Sequence, residues 1–376
     1  MDGRIAEFES NHREKTPEET VWEYYLDLRW SELEKSSRKN IRAAGRRLDE
    51  YLKEEDLEFT ELNSNLVSDY ISFLQNHQEI KTGSTVEGHI SRLATMVDWF
   101  NSKGLMTGNP FRTALEKHDF ETTPGSRVEV PIEELRTAIA KIGDPLTLTI
   151  VVVLLKTGLR ISELANLDER DLHLDHPISS VLDDPRTELV GKPDSVYIDS
   201  SISEGDEVNG EVRRNSNKPK STRIVPLDSE AKEVLVWYLA MRIIPDSEAN
   251  PVFTITGVSR KRSTGSNSTI GSRPTSLYLR RKFTDWSERN GWYDPDDQGS
   301  VKPHWCRHWF TTTVRSNLKR DKIEVGNEDD YIDYLRGDTS SDTRGDYIQM
   351  SWGSNHWMHE ALEDALPSLL TGSEKE

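Results

Sequence analysis

The sequence contains one cysteine, Cys306, in 376 residues. That excludes an intrachain disulfide framework and any multi-cysteine zinc site. Long hydrophobic runs are also missing. The longest apolar stretch, Leu146 to Leu155, is broken by Thr147 and Thr149 and bounded by Asp144 and Lys156. It falls well short of the about 20 residues that span a bilayer. The N-terminus is polar and carries no secretory apolar region. No internal repeat is visible. No membrane partner is expected, and a cytoplasmic location follows by default. Positive charge is scarce as well: 48 Lys and Arg face 66 Asp and Glu, a formal net charge of −18.

What is present points to packed, acidic domains. Charged residues are 30% of the chain, yet the 34% of hydrophobic residues are spread throughout, which supports cores rather than global disorder. The length suits two domains, on a prior of roughly 100–200 residues each. Arginine outnumbers lysine by 29 to 19 against a heavy acidic background. That balance fits a protein adapted to high salt. Total charge does not fix local charge. Basic residues gather in Arg213–Arg223, Arg260–Arg262 and Arg280–Lys282. Each cluster can be a DNA-facing patch or an ordinary solvated face.

Residues 1–15 read as a flexible tail. From Pro17 to about Phe111 the apolar spacing predicts helices. Val21, Tyr24, Tyr25 and Leu28 mark one stripe; Ile41, Ala44, Leu48 and Tyr51 a second; Val67, Tyr70, Ile71 and Leu74 a third. A fourth opens with a capping box, Ser84-x-x-Glu87, and runs through Val86, Ile90, Leu93, Val97 and Phe100 to Gly104. The result is a four-helix first domain over residues 16–115. The second helix carries Arg38, Lys39, Arg42, Arg46 and Arg47, a face that can follow a DNA backbone or simply meet solvent. Residues 116–127, with Pro124-Gly125-Ser126, read as a linker. A second domain over 128–370 opens with Pro131 at a helix start and continues through an apolar helix at 145–157. The stretch 176–217 looks like an acidic insertion, with a strand at Ser195–Ile198. A second strand is expected over Thr222–Leu227, then a helix capped at Asp228. Residues 371–376 form a second tail. The fold class is mainly α with a small β-sheet (α+β).

Three clusters carry chemistry. Thr157-Gly158-Leu159-Arg160-Ile161-Ser162-Glu163-Leu164 reads as a helix–turn–helix junction in which Gly158 permits the turn and Arg160 heads the next helix. Arginine suits an oxyanion because its planar fork donates two parallel hydrogen bonds and stays charged. In His304-Trp305-Cys306-Arg307-His308, His304 and Arg307 are spaced to share a helix face. A metal reading of His304 and His308 lacks an intervening Glu and a third ligand, so no metal is expected. The third cluster runs from Leu335-Arg336-Gly337-Asp338 to Arg344-Gly345-Asp346-Tyr347. A tyrosine there is either a docked aromatic or a nucleophile. The second role needs nearby positive charge, because free phenol ionises near pH ~10.

In this order the clusters resemble the tyrosine recombinase, or phage integrase, family of the Xer and Cre kind. Residues 157–164 match the family's Thr-Gly-hydrophobic-Arg-hydrophobic-Ser-Glu-Leu box without a break. Arg223-Ile224-Val225-Pro226-Leu227 fits its strand, and counting back by the family spacing reaches Lys218, with Lys220 as the alternative lysine. His304 to His308 fits its His-x-x-Arg-His box, and Tyr347 follows Gly337 at the family spacing. The sequence departs at Asp338, where the family has histidine or sometimes tryptophan.

The resemblance implies an N-terminal SAM-like core-binding domain and a C-terminal catalytic domain. It implies double-stranded DNA as partner and no cofactor. The protein would act as a homo-tetramer on DNA and be a monomer or dimer when free. It implies that Arg160 and Arg307 clamp the scissile phosphate, Tyr347 attacks it, Lys218 protonates the leaving oxygen and His304 acts as acid/base. Glu163 and His308 would support, and Arg38, Lys39, Arg42, Arg46, Arg280 and Arg281 would contact DNA. The acidic composition suggests a halophilic archaeon or its virus as source. Two other readings stand beside this one: a DNA-binding relative that Asp338 has impaired, and an acidic helical interaction protein.

The segment after Tyr347 carries an amphipathic stripe of Trp352, Trp357, Met358, Leu362, Leu366 and Leu369. It can dock on a neighbouring protomer or on its own domain.

Overall fold

The computed structural model describes residues 19–78, 80, 82–120, 128–217, 222–257, 269–294, 299–321, 328–338 and 357–370. The chain divides into two compact units, Met1–Pro124 and Gly125–Glu376.

The first unit holds α1 (Val21–Leu28), α2 (Lys35–Glu54), α3 (Ser64–Asn76), α4 (Gly83–Ser102) and α5 (Pro110–Lys117). Among the described residues there are five α-helices in this unit, where the apolar stripes predict four. The fifth is short and opens on a proline after Asn109, whose side chain caps the Arg112 amide. Its buried residues are only Phe111 and Ala114, too few to register as a stripe. Helix α4 also starts earlier than its apparent capping box. The N-cap is Thr82, which accepts from the Thr85 amide. The stripes otherwise face inward as spaced. Tyr25, Ala44, Leu48, Val67, Tyr70, Leu74, Ile90, Leu93 and Phe100 fall in one buried core.

The second unit is larger and mixed. It contains α6 (Ile132–Ala140), α7 (Pro145–Thr157), α8 (Ile161–Asn166), β1 (Leu172–His173), β2 (Ser195–Ile198), β3 (Glu207–Val208), β4 (Glu211–Val212), β5 (Arg223–Pro226), α9 (Ser229–Met241), α10 (Ser276–Arg289), α11 (Pro303–Asp321), α12 (Glu328–Arg336) and α13 (Trp357–Ala365). Strands β1, β2 and β5 form one antiparallel sheet in that order, with Val196 opposite Val225 and Ile198 opposite Arg223. Helix α7 is buried on nearly every side, so its residues show no amphipathic period and read simply as an apolar run. It packs against α9, α10 and α11.

Part of the acidic insertion is ordered by buried charge. It contains the β3–β4 hairpin, closed by Asn209 and Gly210, both at positive φ, a turn signal that the reading of this stretch as an insertion passed over. Beside the hairpin, Arg213 is fully buried on Asp168, at 2.6 Å, and Arg273 joins the same carboxylate. Arg213 and Arg223 are therefore core residues rather than members of a surface patch, whereas Arg214 between them is exposed and Lys218 and Lys220 lie outside the described residues. A buried guanidinium persists only when paired, because an unpaired buried charge costs several kcal/mol.

The C-terminal stripe docks on its own domain. Met358, Leu362, Leu366 and Leu369 are buried in the core of the second unit. Trp352 lies outside the described residues. No helix of the described residues is long and apolar enough to cross a membrane.

Candidate active site

The site begins at a glycine. Helix α7 ends at Gly158, whose φ of +63° is left-handed, and the Gly158 amide bonds back to the Leu154 carbonyl. A Cβ there would stand 2.7 Å from the Phe310 ring. The turn delivers Arg160 to the N-cap of α8, where its amide donates to Glu163 Oε2 at 2.8 Å and its Nη1 donates to Oε1 at 3.0 Å. Arg307, on α11, is buried. Its Nη1 donates to the Gly158 carbonyl at 2.9 Å, so one turn sets both guanidiniums.

The third wall is the C-terminus of α12. The Gly337 amide donates to Tyr334 and the Asp338 amide donates to Asp333, at 2.9 and 3.0 Å. That pair of bonds, with Gly337 at φ +67°, is a Schellman cap. It leaves the Arg336 carbonyl pointing at the site, where it accepts from Arg160 Nη1 at 3.3 Å and from Arg307 Nη2. A helix C-terminus carries partial negative charge and favours cations.

Asp338 completes the cluster. Its Oδ1 accepts from Arg160 Nη2 at 2.6 Å and lies 3.0 Å from Arg307 Nη2. Its Oδ2 lies 2.9 Å from Arg336 Nη2. Burial pushes the Asp338 carboxyl upward, but Arg307, Arg336 and Arg160 outweigh it and hold the group below the usual carboxylate range. Burial, with Arg160 adding to it, pulls the Arg307 guanidinium down to about 10, which leaves it charged at neutral pH. Behind the site Glu163 is itself buried and is held by Arg223, at 2.9 Å. Burial pushes Glu163 upward, yet Arg223 and Arg160 keep it ionised. Arg223 Nε also donates to the Leu335 carbonyl at 2.9 Å, tying β5 to α12.

Arg160, Glu163, Arg307 and Asp338 thus come together from three distant segments. His304 is exposed, one turn before the buried Arg307 on α11. Its ring meets His308 edge-on, with centroids 4.6 Å apart. Tyr347, Lys218 and Lys220 lie outside the described residues.

Sequence reasoning missed Arg223 and Arg336 as members of the cluster. The signal for Arg223 was an arginine inside a four-residue strand buried at every position, which requires a buried anion. Arg336 gave no such signal, because a basic residue in the last turn of a helix is ordinary.

Among the proposed DNA contacts, Lys39, Arg46, Arg280 and Arg281 are exposed, and Arg38 and Arg42 are half-buried. Trp30, also missed, lies under two of them: the Arg38 and Arg42 guanidiniums sit 4.2 and 5.1 Å from its ring centroid.

Among the described residues, the first unit is built of helices and the second sets this arginine site on helices and one strand. Residues 20–119 match the phage integrase SAM-like domain. The chain is 24% identical over 254 residues to tyrosine recombinase XerC of Proteus mirabilis. That match spans 66% of each protein, just under two thirds of the relative. The fold resembles the Tn1549 transposon integrase solved in complex with a circular intermediate DNA, with a TM-score of 0.59 and 16% identity, covering 89% of this chain and 95% of the other. It also resembles a lambda integrase dimer bound to a COC' core site, with a TM-score of 0.52 and 13% identity, covering 93% and 81%. The family match is confined to residues 20–119, and the solved structures share the fold of this chain.

Proposed function

We propose that the protein is a site-specific tyrosine recombinase that cuts and rejoins double-stranded DNA. One observation carries the reading: guanidiniums from two remote segments, Arg160 and Arg307, meet on a single anionic oxygen. Two such forks can bind the non-bridging oxygens of a phosphodiester and stabilise the charge that grows there in the transition state. One preorganised donor of this kind contributes about 2.7–4 kcal/mol in other enzymes.

In this mechanism the Tyr347 phenol oxygen attacks phosphorus. The 5′-hydroxyl leaves with a proton from Lys218, or from Lys220, and a 3′-phosphotyrosine remains. His304 handles the phenol proton. The ester conserves the energy of the broken bond, so religation needs neither metal nor nucleotide. The SAM-like domain supports a clamp on DNA, with Arg38, Lys39, Arg42 and Arg46 on backbone phosphates and Arg280 and Arg281 adding contacts from the second unit. The working form is a tetramer on paired sites. The acidic composition fits a high-salt host, and a cytoplasmic location follows.

Asp338 favours a second reading, a DNA-binding relative that does not cut, because a carboxylate already holds the arginine forks. A nicked suicide duplex, incubated in high salt, separates the two. The recombinase reading expects a covalent adduct that mass spectrometry maps to Tyr347. It expects Tyr347→Phe to abolish the adduct. Arg160→Ala and Arg307→Ala should lower its yield by at least about 100-fold. DNA binding without any adduct in the wild-type chain supports the second reading, and wild-type yield in either arginine variant contradicts the clamp.

A further inference from the structure

Asp338 stands where a phosphate oxygen would have to stand. Its Oδ1 is shared by Arg160 Nη2 and Arg307 Nη2, at 2.6 and 3.0 Å. Those forks cannot serve a carboxylate and a phosphodiester oxygen at once, because two anions on one pair of donors repel. The Asp338 backbone cannot withdraw easily, since the Schellman cap fixes it to the end of α12. Its side chain is one-third exposed, so any movement of the carboxylate is a rotation of the side chain on a fixed backbone.

A second observation shows where the carboxylate can go. Arg336 contacts only the far oxygen, Oδ2, through Nη2 at 2.9 Å, and lies 3.9 Å from Asp333. Its Nε is buried and has no hydrogen-bond partner among the described residues. Nε and Nη2 form one side of the guanidinium fork, the edge that takes a carboxylate with two parallel bonds. A small rotation of Asp338 onto that edge would satisfy the orphaned Nε and free Arg160 and Arg307.

We propose that Asp338 is a built-in occupant of the Arg160–Arg307 anion site, and that Arg336 receives its carboxylate when a DNA phosphate enters. The role of DNA rests on the recombinase reading above; the exchange of anions rests on the site's geometry alone. Asp338 thereby lowers the affinity for stray anions, and Arg336 limits that cost when the substrate arrives. The arrangement suits a protein whose surroundings are rich in salt.

The test is a double-mutant cycle on the full chain, read as the affinity for inorganic phosphate by calorimetric titration. Asp338→Asn is expected to bind phosphate about ten-fold more tightly than wild type, equivalent to about 1.4 kcal/mol. Arg336→Gln is expected to weaken binding about five-fold when Asp338 is present and less than about two-fold in the Asp338→Asn background, because the acceptor matters only when there is a carboxylate to receive. Unchanged or weaker binding by Asp338→Asn overturns the occupant. Equal effects of Arg336→Gln in both backgrounds overturn the acceptor. Asp338→His provides the same comparison should the asparagine variant fail to fold. The suicide-duplex adduct is scored separately. A cycle that holds while no chain forms an adduct keeps the anion exchange and removes the recombinase reading. Adducts without the cycle do the reverse.

Discussion

Glu163 shows how one buried carboxylate organises several cations. It accepts from the Arg160 amide and side chain in front and from the Arg223 guanidinium behind. Both Glu163 and Arg223 are 1% exposed. Removing the carboxylate's charge leaves Arg223 buried without a counter-ion, which typically costs about 3–5 kcal/mol. Glu163→Gln is therefore expected to lower unfolding free energy by about that amount in urea titrations at neutral pH. The sign with pH follows from the same contacts. The folded carboxyl lies below its ordinary value despite burial, because Arg223 and Arg160 favour the ionised form. Its contribution is present above the unfolded value of about 4.3 and fades as pH falls through the folded one. The wild-type and Glu163→Gln curves should converge in acid, below about pH 4. A gap that stays constant from pH 7 into acid would show that the loss comes from shape rather than charge.

At the scale of elements, the junction between α7 and α8 decides where Arg160 points. Gly158 holds a left-handed conformation that costs another residue about 1–2 kcal/mol. Its missing Cβ leaves room for the Phe310 ring, which would otherwise be 2.7 Å away. Phe310 is on α11, one turn beyond Arg307, so a shift there is transmitted to both clamp arginines. Gly158→Ala is expected to cost about 2–3 kcal/mol in unfolding free energy and to lower adduct yield more than a purely structural loss explains. Wild-type adduct yield in a destabilised Gly158→Ala chain would separate the turn from the positioning of Arg160. The turn was legible because Thr-Gly-Leu-Arg combines a left-handed residue with the head of a helix. Strand β5 was legible through its β-branched residues. The exposure of His304 was not, because i, i+3 spacing sets which residues neighbour each other on a helix and not how deeply each is buried. Helix α5 escaped because two buried residues make no period, and the β3–β4 hairpin because its strands are two residues each and show no apolar alternation, although Asn209-Gly210 marks its turn.

For the whole molecule, the question is what holds the C-terminal segment to the second unit. Sequence periodicity identified the apolar stripe but could not say which surface covers it, since an apolar face packs equally well on its own domain or on another copy. The structure supplies a polar clasp beside the apolar contacts. The Leu369 and Leu370 amides donate to Glu230, at 2.7 and 2.9 Å, and the Ser368 hydroxyl donates to the same carboxylate at 2.6 Å. Lys156, buried in α7, joins Glu230 and Asp228 at 2.8 and 2.6 Å and donates to the Pro367 carbonyl at 2.9 Å. Glu230→Ala strips three donors of their acceptor and leaves Lys156 with one carboxylate in place of two. Hydrogen bonds to charged groups contribute about 1.5–3 kcal/mol each before the loss is shared with water. The expected outcome is a fall in unfolding free energy of about 3 kcal/mol and faster protease cleavage within residues 357–370, with the rest of the chain cut at the wild-type rate. Because Met358, Leu362 and Leu366 keep their apolar contacts, Glu230→Ala should loosen the end of the segment before α13 itself detaches. Cleavage at the wild-type rate throughout would mean that the apolar stripe alone retains the segment and that the clasp adds nothing to it.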